Sequence, residues 1–81
     1  MVDANPAIIA LLNKLRSRRG ILRPQILEDL RFQLRRTPLD VFKATLRIVD
    51  GDDIRFLYEA GLDMEQQRAA VAEVDRRAKE M

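Results

Sequence analysis

The sequence predicts an all-α fold, a small bundle of about five helices forming one domain over residues 1–81. Three observations predict it. Capping side chains and prolines stand where helices would begin, at Asn5-Pro6, Pro24, Thr37-Pro38 and Asp63. The three glycines, Gly20, Gly51 and Gly61, are isolated and stand where helices would end. Between these marks apolar residues recur every three to four positions, the period of a helix with one buried face.

The first helix begins after the Asn5 cap, with Pro6 at its first position. Ile8, Leu11, Leu12 and Leu15 share one face, with Lys14, Ser17 and Arg18 opposite. Continued further, Arg19 would fall in that apolar face, so the helix should stop near Arg18 with Gly20 as its left-handed terminator. Ile21 and Leu22 make a short apolar linker. Pro24 restarts a helix through about Arg35, with Ile26, Leu27, Leu30 and Leu34 as its stripe.

Thr37-Pro38-Leu39-Asp40 combines a threonine cap, proline at the first helical position and an acid in the first turn. The segment after it fits two patterns. Ala44, Leu46 and Ile48 alternate with Thr45 and Arg47, and a turn at Asp50-Gly51-Asp52 would pair 44–49 with 53–58 as a β-hairpin, giving a winged-helix-like α+β alternative. The helical pattern fits better. Asp40, Lys43, Arg47 and Asp50 recur at helical spacing, leaving Leu39, Val41, Phe42, Leu46, Ile48 and Val49 on the other side. Gly51 is then the C-terminal cap, and Asp52 or Asp53 caps a short helix ending at Ala60-Gly61.

Asp63-Met64-Glu65-Gln66 has the form of a capping box. The helix it opens runs towards Lys79 on a thin stripe of Ala70, Val71, Val74 and Ala78, with Glu73–Arg77 and Asp75–Lys79 as acid-before-base pairs four apart. The expected core is Ile8, Leu12, Leu15, Ile26, Leu30, Leu34, Val41, Phe42, Leu46, Val49, Ile54, Leu57 and Val74. From Ile48 to Val74 the order Asp-Gly, short helix, Gly-Leu turn, longer helix is similar in rhythm to the end of a sterile-alpha-motif domain. The aromatic residues of that family's early part are absent here, and no residue role is carried over.

Catalysis is disfavoured by inventory. The chain has no histidine and no cysteine, so a nucleophile would lack its usual base and zinc its usual ligands. Ser17 is the only serine and sits among arginines, while Lys14, Lys43 and Lys79 lie on polar faces. Asp50, Asp52 and Asp53 could surround a hard cation, but they lack the spacing of a calcium loop, and capping is the better account. No catalytic, cofactor or metal residue is expected. With no apolar run of membrane-spanning length, no membrane and a cytoplasmic location are expected.

Charge is distributed unevenly. Residues 1–49 carry ten Lys/Arg against four acids, whereas 50–81 carry five against nine. Twelve of the fifteen cations are arginine, which grips carboxylate or phosphate in a bidentate fork. Such a lopsided chain suits a charged partner or head-to-tail self-association into a homo-oligomer. Phe32 lies among Glu28, Asp29, Arg35 and Arg36, three and four residues away on either side. It is either buried in a central helix, which the small domain favours, or an exposed anchor ringed by charge. The expected function is a non-catalytic module that meets an acidic protein surface through Arg16, Arg18, Arg19, Arg23, Phe32, Arg35 and Arg36. Nucleic-acid binding through the same arginines is the alternative, weakened by scarce base-reading amides and by the lack of a stacking platform.

Overall fold

Helices dominate because each apolar stripe finds another to cover it. The computed structural model of the chain describes residues 2–17 and 23–80. It contains α1 (Pro6–Ser17), α2 (Arg23–Arg36), α3 (Leu39–Ile48), α4 (Gly51–Ala60) and α5 (Met64–Lys79). Among the described residues there is no strand, and none of the helices is long and apolar enough to cross a membrane. The bundle of helices is therefore shown, and the hairpin at 44–49/53–58 is not formed. Helical spacing brings Phe42, Leu46 and Val49 onto one buried face. A strand would have turned Val49 away from Phe42 and Leu46. The expected terminator Gly20 and the linker Ile21-Leu22 lie outside the described residues.

α1 packs on α2, α2 on α4, and α3 on α5. The core runs from Ile8, Leu12 and Leu15 through Leu30 and Leu34 to Phe42, Leu46, Ile54 and Leu57. Ile26, Val49, Ala60, Leu62 and Ala70 complete it. Several apolar assignments move outward, Val71 of the α5 stripe among them at 60% exposed. Val41 is half-buried, Val74 is 49% exposed and Ile48 is 63% exposed. Ile48 stands two residues past buried Leu46, about 200° further round the helix.

Asn5 caps α1 as its position predicts. Its Oδ1 accepts from the Ala7 amide at 2.9 Å. It does more than cap, because its backbone N–H donates to Thr45 Oγ1 and its Nδ2 donates to Thr37 Oγ1, each at 3.0 Å. Thr37 is accordingly not the cap of α3. Pro38 occupies the N-cap position without a side-chain bond, and the Thr37 hydroxyl donates back to the Gln33 carbonyl at 2.6 Å. The buried hydroxyl closes the end of α2 and receives Asn5 across the fold. Thr37→Ala is expected to cost about 1 kcal/mol, from the lost tertiary bond with Asn5. A double-mutant cycle with Asn5→Ala checks the cause: the two losses should be strongly non-additive, whereas a cap acting within α3 would give simple additivity.

The α3–α4 junction also differs from expectation. Gly51 is the first residue of α4, and Val49, in extended conformation, ends α3. Asp50 rather than Asp52 or Asp53 is the N-cap, and its N–H donates to Asp53 Oδ2 at 3.1 Å. At the other end of α4, Gly61 has φ of 108°, a left-handed value that L side chains rarely adopt, and Arg31 Nε donates to the neighbouring Ala60 carbonyl at 2.8 Å.

The capping box of α5 forms in full. Asp63 Oδ1 accepts from the Gln66 amide at 2.8 Å, and the Asp63 amide donates to Gln66 Oε1 at 3.1 Å. Gln66 Nε2 also donates to the Leu34 carbonyl at 2.9 Å, which ties the start of α5 to the end of α2. The inward face of α5 is Gln66, Ala70 and Glu73 rather than Ala70, Val71, Val74 and Ala78. The reason is the end of α3. Arg77 Nη2 donates to both the Leu46 and Val49 carbonyls at 2.6 Å, and Glu73 holds Arg77 Nε at 2.7 Å. Helix-terminal carbonyls need a donor, so Glu73 turns inward and Val74 outward.

Candidate interaction face

The arginines expected to act together are divided by the fold. Arg16 leaves α1 towards the start of α4, where its Nε meets Asp53 Oδ1 at 2.9 Å, its Nη2 bonds Asp53 Oδ2, and Asp50 Oδ2 lies at 3.4 Å. The Asp53 side chain is fully buried, and its hydrogen bond to Arg16 raises the Arg16 pKa further above the ordinary value. Arg23 pairs with Glu59 on α4 and lies 5.3 Å from the Phe56 ring centroid. Part of the attraction between the basic and acidic halves of the chain is thus satisfied inside one molecule. Arg18 and Arg19 lie outside the described residues.

Phe32, Arg35 and Arg36 stand together on the open side of α2. Phe32 is 56% exposed, so its burial in a central helix is not what the fold adopts. The inward stripe of α2 is Ile26, Leu30 and Leu34, and Phe32 falls about 160° round from Leu34. The Arg36 guanidinium sits 5.1 Å from the Phe32 ring centroid, a cation–π stack that steadies both side chains. Among the described residues neither Arg35 nor Arg36 forms an ion pair. A groove of about 310 Å³ separates Phe32 from α1 and is lined there by Ala7, Ala10, Leu11 and Lys14.

A second open surface escaped the sequence pattern. Tyr58 of α4 with Met64 and Val71 of α5 line a groove of about 560 Å³, and Met64 and Val71 are 67% and 60% exposed. Val71 belongs to the apolar stripe that helical spacing predicts for α5. The signal that could have corrected it is the Asp63–Gln66 box, because a Gln66 turned inward carries Ala70 and Glu73 with it and leaves Val71 outside.

Ser17, Asp50 and Asp53 are engaged within the fold. The Ser17 hydroxyl donates to the Asn13 carbonyl at 3.0 Å. Asp50 and Asp53 serve the α4 start and Arg16. Among the described residues no three His, Cys, Asp or Glu side chains converge as metal ligands would. Comparison with protein-family models, curated proteins and solved structures finds nothing that matches this chain.

Proposed function

We propose that the chain is a non-catalytic protein-interaction module that docks an acidic protein surface on the Phe32–Arg35–Arg36 face. One observation carries this reading: a phenylalanine left 56% exposed on a folded helix, with an arginine stacked on its ring. Aromatic and arginine side chains supply most binding hot spots, since they bury large area with few rotamers to freeze. Arg16 and Arg23 support the fold of the module instead, through Asp53 and Glu59.

The test uses immobilised protein and its variants as bait. Arg35→Glu with Arg36→Glu should keep the helical circular-dichroism spectrum but retain bound polypeptides at least about tenfold less well, since hot-spot losses are about 2 kcal/mol or more. Equal retention by the double variant would remove the reading. Retention of duplex DNA that falls steeply with salt would favour phosphate as the target of the same arginines.

A further inference from the structure

Charge on the open face of α2 is arranged symmetrically about Phe32. Glu28 and Asp29 precede it by four and three residues, and Arg35 and Arg36 follow by three and four. All five are exposed, and on a regular helix they fall within an arc of about 120° centred on Phe32. Glu28 and Arg35 lie on one flank of the ring, Asp29 and Arg36 on the other. Among the described residues none of these four charges forms an ion pair within the molecule. Asp29 Oδ1 accepts from Gln25 Nε2 at 3.1 Å, which leaves Oδ2 for another donor.

This pattern is complementary to itself in one orientation. Turn a second α2 about a two-fold axis that crosses the helix at Phe32, so that the two helices run antiparallel face to face. Each flank then meets the same flank of the other copy, end for end. Glu28 comes opposite the second copy's Arg35, Asp29 opposite its Arg36, and ring meets ring beside the groove floored by Ala7, Ala10 and Leu11. A parallel pair would instead set acid against acid and base against base. Isologous contacts of this kind are the commonest route to homodimers, because one patch supplies both sides.

We infer that the face pairs with a second copy of the chain, antiparallel through α2, with Phe32 at the two-fold axis. This rests on the proposed docking role of the face and adds that the acidic surface it meets is Glu28 and Asp29 of another molecule. The contact is one helix face wide, so the dimer should be weak and salt-sensitive.

Sedimentation of the purified protein against concentration tests it. The wild type should move from its 9.4 kDa monomer towards twice that mass as concentration rises. The all-acidic variant (Arg35→Glu, Arg36→Glu) and the all-basic variant (Glu28→Arg, Asp29→Arg) should each remain monomeric over the same range. Mixed in equal amounts they should form a heterodimer, because every facing pair is again opposite in sign. A wild type that stays monomeric overturns the inference, as does a reversal variant that dimerises alone like the wild type, or a mixture that does not associate. Should a reversal variant fail to fold, the fourfold exchange (Glu28→Arg, Asp29→Arg, Arg35→Glu, Arg36→Glu) decides instead: wild-type-like dimerisation supports the pairing and a monomer overturns it. A monomeric wild type whose all-acidic variant still loses bound polypeptides sinks self-pairing alone; loss of neither property sinks the docking face as well.

Discussion

Phe42→Ala should destabilise the fold by about 3–5 kcal/mol, the range for deleting a buried phenylalanine ring. Phe42 is fully buried, and its ring lies in the core with Leu46 on the next turn of α3. Its removal takes away the transfer free energy of the ring and leaves a cavity that the surrounding helices fill only in part. An 81-residue domain has a total stability of only about 4–12 kcal/mol, so the variant should be partly unfolded at moderate temperature. Urea titration reads the effect as a lowered midpoint with unchanged slope. Phe32→Ala is the control, with an expected loss of less than about 1.5 kcal/mol because the ring already meets water. Equal losses for the two would place Phe32 in the core and remove the argument for a docking face.

Arg77→Ala should cost on the order of 3 kcal/mol, since a hydrogen bond to a charged group contributes about 1.5–3 kcal/mol and several are lost together. The guanidinium holds two carbonyls at the end of α3 and a carboxyl oxygen of Glu73. Without it both carbonyls lose this charged donor. Arg77→Lys should recover only part of the loss, because an ammonium lacks the planar fork.

The clamp also sets an acid limit on stability. The hydrogen bond from Arg76 holds the Glu73 carboxyl below its ordinary value of 4.5, Arg77 adds to the effect, and burial works against it. A depressed carboxylate pKa contributes stability that is complete above pH 4.5 and is lost as pH falls through the lowered value. Urea midpoints measured from neutral pH downwards should therefore decline below that point in the wild type and decline less in Glu73→Gln. Parallel curves would show that Glu73 does not carry the acid limb.

Part of the candidate site could be read in one dimension. The grouping of Glu28, Asp29, Phe32, Arg35 and Arg36 is a property of helical spacing, legible once 24–35 is taken as a helix. Whether Phe32 was buried was not, because it lies opposite the Leu27–Leu30–Leu34 stripe and only the neighbouring helices decide whether a second face of α2 is covered. Sequence proximity alone groups Arg16 and Arg23 with the docking arginines. Their partners Asp53 and Glu59 are more than thirty residues away, and no local pattern announces such a pair.

Local chemistry determined several of the helix boundaries. Asn5 caps α1, Asp63 with Gln66 opens α5, and Gly61 ends α4. These marks are legible because capping bonds join residues only two to four apart. Tertiary structure decided which polar groups are buried. Thr37 turned from cap to cross-brace because Asn5 reached it, Asp53 was buried because Arg16 came to meet it, and Glu73 displaced Val74 because the end of α3 needed Arg77. Each of these outcomes satisfies a polar group with a partner distant in the chain. A buried donor or acceptor costs about 1–3 kcal/mol when left unpaired, so the fold gave way to those bonds wherever they conflicted with the apolar stripe.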